Sequence, residues 1–514
     1  MPASKSSRLS RVFELAAAFA LASALAVLAS WWFFSRGESL AYGDAASHLN
    51  IARRITDSRT PGYSQIGTVW LPLPHLIVMP LAERDEWWRS GIAGVVPSTA
   101  AFVLSAVFLF AAARRAFSSA AAGFAALALY TMNPNLMYLQ ATPMTEPLML
   151  MFLTALLYAT VRFHQTQSMC AVAAAGLAAL GGTLTRYEGW FLVPFATLYF
   201  LAASKRRRIV NAAVFGAVAS LGPLYWLAHN WWIFGNAVEF YNGPYSAMAI
   251  YRRSLAGGMA HYPGDHNWRV ALYYYGEAVR TVVGLPLIAM GLAGILACVW
   301  KRVFWPLLLL ALVPLFYVLS LYSSGTPIYL PHLWPHAYYN TRYAVAALPL
   351  ATFAAAGLAA LTPRKIQVWT VAAVALLGTS AWLVKPRPEA WACWKEAQAN
   401  WNTRHAAFDK AASFLRANYR PGSGIILTFA DLADVPRRAG IPYREVLHED
   451  NVIAWYAAAA RPDLFLREQW AVTHSGDRIA TAIVRASRRG PRYDCAGTIT
   501  EKGAPVIEIC ERHP

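Results

Sequence analysis

The sequence predicts a mainly α-helical, polytopic membrane protein. A transmembrane bundle of about eleven spans occupies residues 1–384, and a small α/β domain follows over 385–514. Three observations predict this. Hydrophobic residues make up 57% of the 514 residues and charged residues only 14%, against about 25% charged in a soluble globular domain. Apolar runs of bilayer-crossing length recur along the first three-quarters of the chain. After residue 384 such runs stop and charge rises. These features exclude a cytosolic enzyme, a disordered chain and a disulfide-rich miniprotein. The net charge of +18 suits anionic lipid or phosphate, and would suit nucleic acid as well. The apolar runs decide for a lipid bilayer and against a nucleic-acid partner.

The runs lie at 12–34, 92–113, 119–132, 147–161, 169–184, 190–203, 209–228, 279–300, 303–321, 343–361 and 366–384. The first is too long for a signal peptide. No small-residue cleavage site follows Trp31-Trp32-Phe33-Phe34, so it reads as an uncleaved span with those rings in the interfacial belt. The third and fifth are short, which is tolerated where a helix faces protein.

Orientation follows from the short turns. With the N-terminus and its Lys5, Arg8 and Arg11 in the cytoplasm, Arg114-Arg115, Arg162, Lys205 to Arg208, Lys301-Arg302 and Arg364-Lys365 all fall on the same side. That is the pattern the positive-inside rule requires. The segments 35–91, 133–146, 185–189, 229–278 and 322–342 then face outward. An odd number of spans puts the C-terminal domain outside too. In a bacterial cell this is the inner membrane.

In the C-terminal domain, helical periodicity covers 404–419, and strand-like runs occupy 424–429, 469–474 and 506–510, with a further helix over 477–487. The alternation predicts a small α/β fold. Cys170 and Cys298 lie in spans, as small hydrophobes. Cys495 and Cys510 flank the last hairpin-like segment, where a disulfide and two free thiols both fit the spacing. No cysteine–histidine cluster has zinc spacing.

The candidate site residues stand at the outer ends of spans, where ionisable groups are costly and usually have a role. Asp44 follows the first span and opens a helix whose apolar residues Ala45, Leu49, Ala52 and Ile55 repeat at helical spacing. That helix reads as interfacial, with Arg53 and Arg54 open to lipid headgroups. Its positive N-terminal end favours a carboxylate, so a capping role and a catalytic role for Asp44 both stand. His48 is one turn on and faces the same way. Thr145-Glu146-Pro147 opens the fourth span, Pro147 being a good first helical residue. Arg186 and Glu188 share the turn before the sixth span and can simply pair with each other. His332 and His336 stand in the last outer loop, with spacing that is not diagnostic of a metal. Arg342 and Tyr343 close that loop. A guanidinium there either snorkels to the interface or grips a lipid phosphate bidentately.

One chemistry needs carboxylates and arginines together on a membrane face. A carboxylate takes the proton of an acceptor hydroxyl, which attacks the anomeric carbon of a sugar carried on a polyprenyl phosphate. Arginines stabilise the charge growing on the departing phosphate. Tyr42-Gly43-Asp44, Glu146-Pro147-Leu148 and Asn340-Thr341-Arg342-Tyr343 in this order resemble the GT-C superfamily of membrane glycosyltransferases. The likeness is to the bacterial branch related to protein O-mannosyltransferases and lipid A aminoarabinose transferases, over about residues 40–384. The resemblance implies Asp44 as catalytic base, Glu146 as its assistant, Arg342 on the donor phosphate, and a donor sugar such as mannose passed with inversion to a protein or glycolipid acceptor. Arg186 joins Arg342 by position, His48 joins Asp44, and Glu188, His332, His336 and Tyr343 complete the candidates. Ala45 follows Asp44 where the protein O-mannosyltransferases carry a second carboxylate, and the Trp-Trp-Asp signature of oligosaccharyltransferases is absent. No metal or cofactor is implied. A transporter or flippase is the competing class. It would carry charges in mid-span and internal repeats, and neither is present.

Overall fold

The computed structural model describes residues 5–384, 391–501 and 504–513. They form two compact units. One comprises Met1–Glu38, Thr68–Pro74 and Val95–Glu396, the other Ser39–Gly67, His75–Gly94 and Ala397–Pro514.

The first unit is the helical bundle of a multi-pass membrane protein. All eleven apolar runs are helical. Among the described residues, seven helices are long and apolar enough to cross a membrane, eight if one bent pair counts as a span. The remaining three runs form shorter helices, Ala120–Thr131, Met169–Thr183 and Glu188–Ala203. The bent pair departs from the sequence expectation of one continuous span over 279–300. Trp268–Val283 and Leu285–Trp300 meet at 104°. The reason is local: Gly284 takes φ +88°, which a glycine adopts without a Cβ clash, and Pro286 just beyond cannot continue the preceding helix. The run at 343–361 is likewise divided, into a 3-10 turn Thr341–Ala347 and the helix Leu348–Ala359.

The second unit holds a five-stranded sheet in the order β2-β1-β3-β5-β4. The strands are β1 (Ile425–Leu427), β2 (Val446–Leu447), β3 (Trp470–His474), β4 (Arg492–Ile499) and β5 (Ile507–His513). β1 runs parallel to β2 and β3, and β5 runs antiparallel to β3 and β4. β2 and β4 were not expected from the sequence. β2 is two residues long, and β4 is mostly exposed, so neither shows a strand pattern. Alternate residues feed two cores. Ile425, Leu427, Trp470 and Val472 face one, Ile426, Leu447 and Ala471 the other.

The first of these cores also contains Leu49, Ala52 and Trp88. The tail expected to stand as a domain by itself therefore shares its unit with residues of the first long loop. This changes the reading of the helix Gly43–Arg54. Arg53 and Arg54 were expected to meet lipid headgroups, but both are buried. Arg53 donates to Asp57 (2.8 Å), Asp85 (2.6 Å) and the Ala82 carbonyl (2.8 Å), while Arg54 pairs with Asp450 and the Gln65 carbonyl. A buried guanidinium is tolerated when its donors are met in this way.

Cys495 and Cys510 lie opposite each other on β4 and β5 and form a disulfide. Among the described residues they also belong, with Glu508, to the single acidic and thiol triad close enough for a metal. The disulfide takes both sulfurs out of that role. The bond closes a loop with a sequence separation of 15 residues, and constraining a loop of this size is worth about 3 kcal/mol. Replacing both cysteines by serine is expected to lower the unfolding transition of the second unit by a corresponding amount. Calorimetry of the oxidised protein against the variant checks this, and coincident transitions would show the bond to be thermally silent.

Candidate active site

Three short segments of the first unit build the site. The helix Glu146–Thr166 begins at Glu146, with Thr145 as N-cap and Pro147 in its first turn. Thr145 makes no side-chain cap bond. Its hydroxyl instead accepts from Arg186. The turn carrying Arg186 links Met169–Thr183 to Glu188–Ala203. That turn is tight because residue 189 is glycine: a Cβ there would lie 2.6 Å from the Gly182 carbonyl carbon. The close approach shapes the turn that carries Arg186 and Glu188. The 3-10 turn Thr341–Ala347 supplies Arg342 and Tyr343.

These segments bring five expected residues into one buried network. Arg342 Nε donates to Glu146 Oε1 at 3.0 Å, and Arg186 Nη1 reaches the same oxygen at 3.2 Å. Arg186 Nη1 also donates to Thr145 Oγ1 (2.8 Å), its Nε to Glu188 Oε1 (2.5 Å) and its Nη2 to the Tyr317 hydroxyl (3.0 Å). Tyr317 in turn donates to Glu188 at 2.7 Å. The Tyr343 ring stacks on Tyr317, with centroids 4.8 Å apart. Both guanidiniums lie over that ring, Arg186 at 5.3 Å and Arg342 at 5.1 Å, close enough for cation–π attraction. Arg186 and Glu188 do pair, as the bland reading held, but as two members of a larger cluster.

Glu396 completes it from the helix Ala392–Asn418. Its carboxylate is fully buried and lies 3.5 Å from Arg342 Nη1. Burial pushes this carboxyl above the ordinary carboxylate range, with Arg342, Thr341 and Asn340 pulling back. Glu146 Oε2 is buried without a hydrogen-bond partner among the described residues. It borders a cavity of ≈ 10 Å³ lined also by Glu188, Tyr317, Arg342 and Tyr343, room for about one water. Two guanidiniums are thus fixed in direction by carboxylates, and one carboxylate oxygen keeps an unused acceptor. Such an arrangement can hold an anion's charge and receive a hydrogen bond or proton.

The other expected residues stand elsewhere. Asp44 belongs to the second unit, in the first turn of Gly43–Arg54, where Tyr42 is the N-cap. His48 is buried in that unit, its Nδ1 2.9 Å from Nε2 of His75. In the first unit, His332 Nε2 lies 3.1 Å from Glu277 Oε2, and His336 Nδ1 lies 3.2 Å from the Pro331 carbonyl oxygen. Sequence reasoning missed Tyr317, Glu396 and His75. Tyr317 sits inside an apolar span. Glu396 lies ahead of the helix expected over 404–419, in a stretch with no marked periodicity, although the helix in fact begins at Ala392. His75 lies in the apolar run Leu73–Ala82, too short to be taken as a span.

The site is thus a pair of arginines and a pair of carboxylates gathered at helix ends and loops of a multi-pass helical bundle. Residues 88–232 match the model of the dolichyl-phosphate-mannose-protein mannosyltransferase family. No curated protein sequence matches the chain significantly. Among solved structures, the chain is similar to ArnT from Cupriavidus metallidurans bound to undecaprenyl phosphate. The identity is 14% and the TM-score 0.56, over 95% of this chain and 97% of that one. It is also similar to the oligosaccharyltransferase of Archaeoglobus fulgidus tethered with an acceptor peptide, at 12% identity and a TM-score of 0.50, over 90% of this chain and 69% of that one. The family match covers part of the chain, and the fold of the chain is shared with both of these structures.

Proposed function

We propose that the protein transfers a sugar, a hexose such as mannose, from a polyprenyl phosphate to a hydroxyl of a protein or glycolipid acceptor. The acceptor oxygen bonds to the anomeric carbon as the bond from that carbon to the phosphate oxygen breaks. One in-line displacement inverts the configuration. Asp44 takes the acceptor proton, with His48 orienting it. Glu146 assists, and Arg342 and Arg186 neutralise the released polyprenyl phosphate. The positive charge comes from guanidiniums, so the reaction as proposed requires no metal or cofactor. The reaction is assigned to the extracytoplasmic face of the inner membrane, with the N-terminus cytoplasmic and residues 385–514 outside. The basic turns and the disulfide, a bond of oxidising compartments, support that placement.

The observation that carries the reading is the convergence of Arg186 and Arg342 on one oxygen of Glu146. Two fixed guanidiniums at the end of a membrane helix suit a lipid-borne phosphate. The test is to incubate the purified protein with labelled polyprenyl-phosphate sugars and candidate acceptors. Release of free polyprenyl phosphate coupled to acceptor labelling supports the reading. Flipping of the lipid across a vesicle without sugar transfer would replace it with transport. Within the assay, Arg342→Lys keeps the charge but loses the planar fork. It is expected to weaken the donor KM by about tenfold or more, the scale of one charged hydrogen bond. Full turnover with unchanged KM would remove Arg342 from phosphate binding.

A further inference from the structure

The mechanism makes no use of Glu396, yet few side chains in the first unit are so heavily engaged. Its Oε1 accepts from the Asn340 backbone N–H at 2.8 Å. Its Oε2 accepts from the Thr341 N–H at 2.8 Å and from Thr341 Oγ1 at 2.5 Å. Its Oε1 also lies 3.5 Å from Arg342 Nη1. These contacts fall on three consecutive residues, the last of which is the guanidinium assigned to phosphate.

We infer that Glu396 is a positioning residue, holding the Asn340-Thr341-Arg342 segment so that the Arg342 fork is set for a polyprenyl phosphate; this rests on the phosphate role proposed for Arg342. The first leg of the argument is backbone chemistry. The 3-10 turn Thr341–Ala347 has first N–H groups with no partner inside the turn. Asn340, its N-cap, sits at φ +55° and makes no cap bond with its own side chain. Asn340 Nδ2 is spent on the Pro327 carbonyl instead. Glu396 therefore acts as a cap delivered from 56 residues away in sequence, and its negative charge suits the positive end of the turn.

The second leg is direction. Arg342 is gripped at Nε by Glu146 and approached at Nη1 by Glu396. Two carboxylates on two edges of a planar group fix its rotation as well as its place, which one partner does not. The third leg is rigidity. The segment bearing Glu396 is anchored: the Cys393 N–H donates to Asn135 Oδ1 at 2.9 Å, and Asn135 Nδ2 donates to the Val282 carbonyl at 3.1 Å. Trp394 Nε1 donates to Glu38 at 3.0 Å. With no exposed surface, Glu396 acts through Arg342 and does not itself meet substrate.

The test uses the full chain in detergent and undecaprenyl phosphate as probe, with binding as the readout. Glu396→Gln keeps the shape but gives an NH2 where one acceptor oxygen stood. It is expected to weaken undecaprenyl phosphate binding about 10- to 100-fold, the scale of a lost hydrogen-bonding charge. In an Arg342→Ala background the same change is expected to add less than about twofold, because the two residues act as one unit. A merely structural role would weaken both backgrounds alike, and that result would overturn the inference. So would wild-type affinity in Glu396→Gln. If Glu396→Gln does not fold, Thr341→Val removes a single bond to the same carboxylate. It should weaken the probe a few-fold in the wild type and not in Arg342→Ala, and unchanged affinity counts against the inference. Arg342→Ala binding like wild type would instead defeat the underlying phosphate reading, a distinct outcome.

Discussion

Asp44→Asn is expected to lower sugar transfer by about 10²–10⁴-fold, the usual contribution of a general base, while the protein folds and binds its carrier lipid. A leaving phosphate is already activated, so the demanding step is removing the proton from a weak hydroxyl nucleophile. Asp44 suits that task by its place. It lies in the first turn of Gly43–Arg54, where the N-cap is Tyr42, whose side chain makes no cap bond. Asp44 is therefore not the N-cap residue of this helix. Asparagine keeps the shape and removes the base. Single-turnover assays with saturating donor, beside a thermal unfolding curve, separate the outcomes. Near-normal turnover eliminates Asp44 as base. Loss of the folded protein would return it to a structural role.

Glu146→Ala is expected to destabilise the first unit by roughly 3–5 kcal/mol, the cost of breaking a buried ion pair from one side. Glu146 is 4% exposed, and its Oε1 is shared by two arginines that are themselves largely buried. Removing it leaves both guanidiniums facing each other across a small cavity with one counter-charge fewer. Glu146→Gln retains an acceptor for Arg342 Nε and is expected to fold, yet to lower turnover, because an amide NH2 in place of Oε2 cannot accept a hydrogen bond in the assisting role proposed for Glu146. Denaturation of the two variants in the same detergent tells them apart. Equal stability of Glu146→Ala and wild type would mean the arginines find other partners, and Glu146 would not organise the site.

Several site residues were legible because their signals are local. Glu146 announces itself by the proline that follows it and the apolar run it opens. Arg186 and Glu188 share one turn. Arg342 closes a loop at the start of an apolar run. What they do together was not legible. Glu146 and Arg342 are separated by 196 positions, and nothing in the local pattern of either says that they meet. Arg53 and Arg54 misled for the same reason. On their own helix they look like a solvated basic edge, but their partners Asp85 and Asp450 arrive 32 and 396 positions later. Glu396 lies ahead of the periodicity that marks the helix over 404–419, and only its position against the backbone of Asn340 and Thr341 gives it a task.

The sequence by itself determined that this is a multi-pass helical membrane protein with an α/β tail. Hydrophobic run length, helix-opening proline and strand alternation depend on a residue and its near neighbours, and lipid leaves the backbone little choice but to close its hydrogen bonds within each helix. The tertiary structure alone decided which charges share a site, that Gly284 breaks one apparent span into two helices at 104°, and that Leu49 and Trp88 join the core beneath Ile425 and Leu427. Burying a charge is favourable only when its counter-charge and donors are in place, and those arrive from positions far apart in the chain, so the choice among competing partners is settled when the segments pack.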